Sequence, residues 1–448
     1  MLNLPRLLTL SLILLTSITT AAEPLHLPFW DQNDILTPAG SEIEIKANYL
    51  EYDTPATNFP RSQYGCEVPR DENTFWVYGW RMQNIADKPN RTIEVVRAWT
   101  PDGLNFNEEE IVFSLKDGDW QGFANLVYRP TDGSLFLFSY SAGHLRVFRT
   151  DNGTTWEKLT DEAYTNHDAM HITWYPPWNE FLNYQNTLEP YPTRYPDNIG
   201  ELRRVFSFLR SKDGVEWTSY APEFLQGEKL WKPDDLDPVD LEFYRSIVIP
   251  TEGRYALLIQ RYIAPPPEAN SRRATTKHGP RSSVEIAISY DGLNWERPHR
   301  KHDVTLKVGS LPVQGPSIHQ GKIRFYQPEG DVYAFDEGRL FYATCLGNGE
   351  FSTRLFTMPM QGLTLNVDAS WPANQGETGR AYVMVEALDA EGNLIPGYER
   401  TNFLLENIDN PALPLNWTDH PCQNLAGQQI QLRFYFCEAK IYSISENK

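Results

Sequence analysis

Two polar clusters stand immediately before apolar, strand-like runs, and both contain side chains that can act as acids and bases. Residues 166–171 read Asn-His-Asp-Ala-Met-His, and residues 237–245 read Asp-Pro-Val-Asp-Leu-Glu-Phe-Tyr-Arg. Two carboxylates at one site can serve as a general acid and as a nucleophile or base, which is what glycoside hydrolysis requires. We therefore predict Asp168 and Glu242 as a catalytic pair, with Asp240 as a third carboxylate that tunes or positions them. Taken singly, each of these carboxylates is also compatible with a turn or surface role.

The same clusters permit a second chemistry. A lyase that acts on a uronic-acid polymer needs a histidine or tyrosine base and a cation that neutralises the substrate carboxylate. His144 or His167 would be the base and Tyr244 the acid. Arg204 or Arg245 would neutralise the carboxylate. The alternative for each histidine is a strand residue hydrogen-bonded within its sheet, which we favour for His171.

Further substrate contacts are predicted near the start of the chain. Glu67, Trp80 and Arg81 lie in or beside an aromatic strand-like run, and ordinary packing is the alternative that we favour for Trp80. A basic segment at 272–278 contains Arg272, Arg273, Lys277 and His278. It is either a solvated loop or a lid that recognises a sulfated or carboxylated sugar.

A repeated turn organises the chain around these clusters. Four copies share a hydroxyl residue, any residue, Asp-Gly, two further residues and an aromatic residue, with Asn152 replacing Asp in one of them. They are Thr100–Phe106, Thr150–Trp156, Ser211–Trp217 and Ser289–Trp295. Asp-Gly favours a tight turn because glycine tolerates positive φ and the Asp side chain bonds nearby amides. Each copy follows an apolar run, so the pattern predicts strand, turn and aromatic anchor, with a role in folding.

Repeated units of this kind are typical of β-propellers, and five of them can be traced up to residue 357. In a propeller the innermost strand of each blade lines the central axis. The polar residues at the starts of these strands, here called strand openings, would therefore meet at one end of the axis. The composition changes near Met358, and residues 429–436 alternate apolar and polar as a half-buried strand does. We predict an all-β chain with a signal peptide at 1–22, a five-bladed β-propeller catalytic domain at 23–357 and a small C-terminal β-sandwich at 358–448.

Charge and targeting signals narrow the class of function. The net charge of −19 argues against a nucleic-acid partner, which requires basic patches. Arg6, the apolar run 7–18 and the small residues at 20–22 are typical of a secretory signal, and no later apolar segment predicts a membrane span. The sequence predicts a secreted or periplasmic protein. We predict that the protein requires no cofactor. Its sequence contains no metal-binding Cys/His spacing, and a structural calcium ion is possible but is not indicated by the sequence.

Export permits disulfides, and four cysteines allow three pairings. We favour Cys422 with Cys437, which are close in sequence, and Cys66 with Cys345 near the ring closure. Four free buried thiols are the alternative.

The repeated turns resemble shortened Asp-boxes of sialidase-like propellers. The segments Leu363–Asp368, Val385–Tyr398 and Leu425–Phe434, with Ile286–Pro298, resemble secreted bacterial sialidase-like and fructosidase-like carbohydrate-active proteins. The resemblance implies a propeller with a C-terminal sandwich, and a poly- or oligosaccharide as substrate. The Arg-Ile-Pro motif of sialidases is absent, and Phe29–Asp34 only partly matches the opening motif of fructosidases, so neither specificity is transferred. Three functions follow in order of preference: glycoside hydrolase, polysaccharide lyase and non-catalytic glycan-binding propeller.

Overall fold

The computed structural model describes residues 24–39, 41–84, 91–116, 121–141, 143–192, 201–251, 253–263, 282–305, 314–345, 347–370 and 381–447. In these residues the chain forms β-strands and short 3₁₀ turns, so the predicted all-β class is confirmed. The described part of the chain has no helix of the length and apolarity needed to span a membrane. The predicted signal peptide 1–22 and the basic segment 272–278 lie outside the described residues.

The chain begins with three short strands that pair with strands far along the sequence. They are β1 (His26–Pro28), β2 (Glu44–Ala47) and β3 (Glu51–Tyr52). Strands β1 and β2 join a C-terminal sheet, and β3 joins a sheet formed after residue 316. The N-terminal segment therefore connects the early and late parts of the molecule.

Two four-stranded antiparallel meanders follow, here called sheets 1 and 2. Sheet 1 contains β4 (Gln63–Pro69), β5 (Phe75–Asn84), β6 (Arg91–Thr100) and β7 (Glu110–Lys116). Sheet 2 contains β8 (Gln121–Arg129), β9 (Ser134–Ser141), β10 (His144–Thr150) and β11 (Glu157–Tyr164).

Sheets 3 to 5 are also antiparallel, with five, three and four described strands respectively. Sheet 3 contains β12 (Met170–Tyr175), β13 (Glu180–Pro190), β14 (Leu202–Ser211), β15 (Thr218–Ser219) and β16 (Leu230–Trp231). Sheet 4 contains β17 (Leu241–Thr251), β18 (Arg254–Ile263) and β19 (Ser282–Ser289). Sheet 5 contains β20 (Ser317–His319), β21 (Lys322–Tyr326) and β22 (Val332–Asp336), and β3 completes its outer edge.

Each of these five sheets shares an apolar core with the next one. Separate buried clusters join sheets 1 and 2, sheets 2 and 3, and sheets 3 and 4. A larger cluster includes sheets 4 and 5, and another joins sheet 5 back to sheet 1 through Tyr326 and Tyr64. The first strands β4, β8, β12 and β17 contact one another in that order, and β21 contacts β4. The cores of the five sheets therefore form a closed series.

Three further sheets lie toward the C-terminus, one of them the two-stranded pair of β30 with β31. The remaining strands are β23 (Phe341–Thr344), β24 (Asn348–Ser352), β25 (Phe356–Thr357), β26 (Leu363–Ala369), β27 (Tyr382–Leu388), β28 (Leu404–Glu406), β29 (Ile408–Pro414), β30 (Asn416–Trp417), β31 (His420–Pro421), β32 (Gln429–Cys437) and β33 (Lys440–Glu446). Sheet 6 has the order β2-β23-β33-β26-β29 with β1 beside β33, and sheet 7 has the order β24-β32-β27-β28 with β25 beside β32. The predicted alternation of β32 is confirmed, because Ile430, Leu432, Phe434 and Phe436 are its buried residues.

The four repeated turns have one hydrogen-bond pattern, which confirms the turn that the sequence predicts. In the copy at Ser289, the hydroxyl donates to Asp291 Oδ1 at 2.9 Å and accepts from the Gly292 amide at 2.9 Å. Asp291 Oδ1 also accepts from the amides of Leu293 and Asn294, both at 2.8 Å. The glycines of the four copies have φ between +73° and +79°, a region that favours glycine.

Each repeated turn lies against an aromatic residue of the preceding sheet. The Tyr326 hydroxyl of sheet 5 donates to the Gly103 carbonyl of sheet 1 at 2.8 Å, and the Tyr184 hydroxyl of sheet 3 donates to Gly292 of sheet 4 at 2.6 Å. A Cβ at Gly153 would overlap the Tyr78 hydroxyl of sheet 1, and a Cβ at Gly214 would lie 3.1 Å from the Phe138 ring of sheet 2. The turns therefore connect neighbouring sheets.

The predicted disulfides are wrong, because Cys66, Cys345, Cys422 and Cys437 are all free. Cys66 and Cys437 lie in strands, whereas Cys345 directly follows β23 and Cys422 begins a 3₁₀ turn. The Cys345 thiol donates to the Gly347 carbonyl at 2.9 Å, and Cys422 Sγ accepts from the Leu363 amide at 3.3 Å. Burial raises the pKa of the Cys66 thiol.

Candidate active site

The two carboxylates predicted as a pair stand at the openings of the first strands of sheets 3 and 4. Asp168 lies two residues before β12 and is 6% exposed, and Glu242 is the second residue of β17 and is 2% exposed. Strands β12 and β17 are in contact. Carboxylates are rarely buried without partners, so each must have a specific environment.

Glu242 is paired with Arg204, which reaches it from β14 of sheet 3. Glu242 Oε2 accepts from Arg204 Nη1 at 2.9 Å and from the Arg204 backbone amide at 3.1 Å. The two side chains are 2% and 3% exposed. This buried ion pair connects sheets 3 and 4 beside the strand opening, and removal of either partner would leave an uncompensated charge.

Asp168 contacts a histidine and interacts electrostatically with an arginine. His167 Nδ1 is 2.5 Å from Asp168 Oδ1, and 27% of the His167 side chain is exposed. Burial raises the pKa of Tyr140, and the negative charge of Asp168 raises it further. Burial lowers the pKa of Arg245, while Tyr244, Tyr262 and Asp168 partly offset this effect. Tyr140 and Arg245 are therefore electrostatic neighbours of Asp168.

A β-bulge places Tyr244 in this cluster. Phe243 pairs with Arg261 and Arg245 pairs with Gln260, so Tyr244 has no partner in the register of β17 with β18. Bulges redirect a side chain and are frequent beside active sites. Only 3% of Tyr244 is exposed, and its ring centroid lies 4.8 Å from that of Tyr262.

Two guanidinium groups flank the Tyr244 ring, with Arg204 at 5.7 Å and Arg245 at 5.6 Å from its centroid. Arg245 Nε donates to Gln260 Oε1 at 2.9 Å, and Gln260 Nε2 donates to the Tyr262 hydroxyl at 3.2 Å. Burial raises the pKa of Tyr262, with Tyr244 as the next cause. The cluster thus combines two carboxylates, two arginines and two tyrosines.

Three residues of this cluster are not predicted by the sequence pattern: Gln260 and Tyr262 of β18, and Asn186 of β13. Asn186 is completely buried, its backbone amide donates to the Ala169 carbonyl at 3.0 Å, and Ala169 packs on Tyr244. Its side-chain amide has no hydrogen-bond partner among the described residues. Three buried amide residues in one strand, Asn183, Gln185 and Asn186, were the available signal, because such residues are seldom buried without a reason.

Five other predicted residues lie outside this cluster. Glu67 of β4 accepts from His319 Nε2 at 2.6 Å, and Arg81 of β5 pairs with Glu94 and Glu109, both at 2.9 Å. Trp80 is 2% exposed in the core between sheets 1 and 2. His144 is exposed at the start of β10, and Asp240 is partly exposed just before β17.

The described residues contain no group of three or more His, Cys, Asp or Glu side chains arranged to hold a metal ion. The arrangement is suited to proton transfer between carboxylates, histidine and tyrosine, with arginine to stabilise negative charge.

Comparison with known proteins finds structural neighbours only. No family model and no curated protein sequence matches the chain. A GH32 β-fructofuranosidase from Bombyx mori is 7% identical with a TM-score of 0.39, and the match covers 90% of this chain and 94% of that one. An exo-inulinase from Aspergillus awamori is 9% identical with a TM-score of 0.39, covering 90% and 98%.

A family 117 glycoside hydrolase from Zobellia galactanivorans is 11% identical with a TM-score of 0.33, covering 70% of this chain and 85% of that one. These neighbours are glycoside hydrolases, but such identities and scores do not assign this chain to a family.

Proposed function

We propose that this protein is a glycoside hydrolase in which Asp168 and Glu242 form the carboxylate pair. One observation supports this proposal above others. Two buried carboxylates stand at the openings of adjacent first strands, β12 and β17, with Tyr244, Arg204 and Arg245 around them. Such a pair in two different environments is what glycosidic bond cleavage requires.

We also propose the architecture that brings these openings together. Sheets 1 to 5 are the blades of a five-bladed β-propeller whose axis is lined by β4, β8, β12, β17 and β20. The closed series of shared cores and the outer strand β3 on sheet 5 support this arrangement. Sheets 6 and 7 form a β-sandwich built mainly from 358–447, with strands from the N-terminal segment and from 341–357 added to it.

The two carboxylates have different roles in this proposal. Glu242 accepts two hydrogen bonds from Arg204, which favours its use as the charged base or nucleophile. Asp168 is assigned as the proton donor because Glu242 takes the charged role, and the partly exposed His167 lies beside it. Tyr244 and Tyr262, which are both buried, pack against each other beside the pair. A poly- or oligosaccharide is the proposed substrate.

The experiment measures release of reducing ends from a panel of neutral and anionic polysaccharides. Asp168→Asn and Glu242→Gln should each lower the rate by a factor on the order of 100 to 10,000. Asp240→Asn is the matched control, because Asp240 lies near the same opening but is partly exposed. Urea unfolding of each variant separates loss of chemistry from loss of folding. Rates equal to the wild type in folded Asp168→Asn would contradict the assignment.

A polysaccharide lyase is the second candidate, and the surroundings of Tyr244 favour it. An elimination at a uronic acid needs a tyrosine or histidine to move protons and a cation to neutralise the carboxylate. Arg204 and Arg245 both lie within 6 Å of the Tyr244 ring centroid, and His167 is in contact with Asp168. A lyase would form unsaturated sugar ends, which absorb in the ultraviolet, and Tyr244→Phe would abolish that signal. No product of either type from the panel would favour a non-catalytic glycan-binding propeller.

We further propose that the protein is exported, to the periplasm or to the medium, after removal of residues 1–22. N-terminal sequencing of the exported protein should begin at Glu23. Retention of Met1 in the exported protein would contradict this part of the proposal.

A further inference from the structure

A second cleft lies at the opposite end of sheet 4 from Glu242. It has a volume of about 740 Å³, and its lining includes Phe29, Asp34, Arg254, Tyr290, Thr353 and Arg354. Glu242 pairs with Tyr262 at one end of the β17–β18 hairpin, and Thr251 pairs with Arg254 at the other. At about 3.3 Å per residue the two ends are roughly 30 Å apart. This distal cleft is therefore separate from the candidate active site.

Tyr290 is both exposed and rigidly held in the distal cleft. Its side chain is one of the large apolar groups at the surface, with 62% of the residue exposed. Its hydroxyl accepts from Arg254 Nη2 at 2.8 Å and donates to Asp34 Oδ1 at 3.3 Å. The Arg254 guanidinium lies 4.2 Å from the ring centroid. A ring fixed in this way loses little side-chain entropy when a ligand packs against it.

The repeated turn does not require an aromatic residue at position 290. Tyr290 occupies the second place of its copy, where the other three copies have Pro101, Asp151 and Lys212. The hydrogen bonds of the turn use the hydroxyl, Asp and Gly residues instead. The tyrosine is therefore an addition to the turn, and it faces a cleft.

The charges in the distal cleft favour an uncharged ligand. Arg254 Nη1 is 3.0 Å from Asp34 Oδ2, so the buried guanidinium is already neutralised. The more exposed Arg354 donates from Nε and Nη2 to the Asn33 carbonyl at 3.0 and 2.8 Å. The cleft offers an aromatic face at Tyr290 and a rim arginine, Arg354.

We propose that the distal cleft is a second, non-catalytic binding site for a neutral oligosaccharide chain, with the Tyr290 ring as its platform. An amphipathic ring beside a few polar groups suits a sugar, which has apolar faces and polar edges. This site would hold a polysaccharide on the protein without taking part in bond cleavage. The proposal does not depend on which reaction the candidate active site performs.

The test is binding of the full-length protein to an array of neutral and anionic oligosaccharides, namely glucans, xylans, galactans, mannans, fructans, alginate and pectin fragments. We expect the wild type to bind at least one neutral chain. Tyr290→Ala should weaken this binding about tenfold, and Tyr290→Phe should retain it because the ring remains. Tyr52→Ala is the matched control, because Tyr52 is also exposed, at 54%, and lies in β3.

Asp168→Asn separates this site from the active site. Neutral-chain binding that persists in Asp168→Asn and weakens in folded Tyr290→Ala supports the distal cleft. Equal binding by wild type and Tyr290→Ala would overturn it. Binding confined to anionic chains, or absent from all neutral chains, would also overturn it.

Discussion

The repeated turns and the strand openings differ in how their polar groups are satisfied. In each turn, one carboxylate or amide oxygen accepts from two nearby amides, and all partners lie within three residues. At the start of β17 the partner comes from another sheet, as in the pair of Glu242 with Arg204. The side-chain amide of Asn186 has no partner among the described residues. Polar groups that are hydrogen-bonded by residues close in sequence are typical of structural elements. Buried polar side chains that depend on distant partners, or have none, cost stability and are typical of functional sites.

This difference means that the two regions should respond differently to mutation. Changes in a turn should alter stability while leaving the chemistry of folded molecules intact. Mutations at the strand openings should lower the catalytic rate. Their effect on stability should depend on whether they leave a buried charge without its ion-pair partner.

The largest effect on stability is expected from breaking the pair of Glu242 and Arg204. Glu242→Gln leaves the Arg204 charge buried, which should lower the free energy of unfolding by about 3–5 kcal/mol. Replacement of both residues, as Glu242→Leu with Arg204→Met, should restore much of this loss while activity stays absent. Urea unfolding measures the first quantity and product release the second. If the double variant is less stable than Glu242→Gln, the pair is needed for folding and the distinction between the regions fails.

The next effect should come from a repeated turn. Gly153→Ala places a methyl group against the Tyr78 hydroxyl at φ +76°, and such strain costs about 1–3 kcal/mol. Gly133→Ala is the control, since Gly133 has φ +75° but no atom within 4 Å of the added Cβ. The excess cost of Gly153→Ala over this control measures the contact between sheets 1 and 2, and turnover per folded molecule should not change. Equal costs in the two variants would mean that the turn does not hold the sheets together.

The sequence was sufficient to predict the turns but only part of the site. Asp-Gly at fixed spacing has one favoured geometry, and the hydrogen bonds at Asp291 follow from local residues. Asp168 and Glu242 could be selected because strand openings were expected to meet. Tyr262 and Gln260 were missed because they face the site only through the register of β18 with β17, and the bulge at Tyr244 sets that register. The disulfide predictions failed for a similar reason, since proximity in sequence does not determine which strands are neighbours.

A pH titration should separate the two regions. Burial lowers the pKa of His171 to about 4, and its Nε2 accepts from the Val248 amide at 3.2 Å between β12 and β17. The folded pKa lies below the unfolded value of about 6.5, so the unfolded state takes up the proton first. Stability is therefore full above pH 6.5 and falls as the pH is lowered toward 4, by about 2 kcal/mol between pH 7 and pH 5.

The turns should lose stability in a lower pH range. Burial of Asp291 alone would raise its pKa, but hydrogen bonds from Asn294 and Leu293 outweigh this effect and lower it. Its contribution is thus present above the unfolded pKa of about 3.9 and is lost below that value. His171→Gln should remove the part of the pH dependence between 7 and 5 in urea unfolding and leave the acid part unchanged. An unchanged slope in that variant would assign the titration to another group.

The smallest effect concerns the hydrogen bonds that join a turn to the preceding sheet. Tyr184→Phe and Tyr326→Phe each remove one hydroxyl that donates to a turn carbonyl, at 2.6 and 2.8 Å, and each should cost about 1 kcal/mol. Tyr184 joins sheets 3 and 4, which follow each other in the chain, whereas Tyr326 joins sheet 5 to sheet 1 across a large sequence separation. If the five sheets unfold as one unit, the two losses should be equal and each variant should show a single transition. A second transition in Tyr326→Phe alone would show that the contact between sheets 5 and 1 opens before the rest of the series.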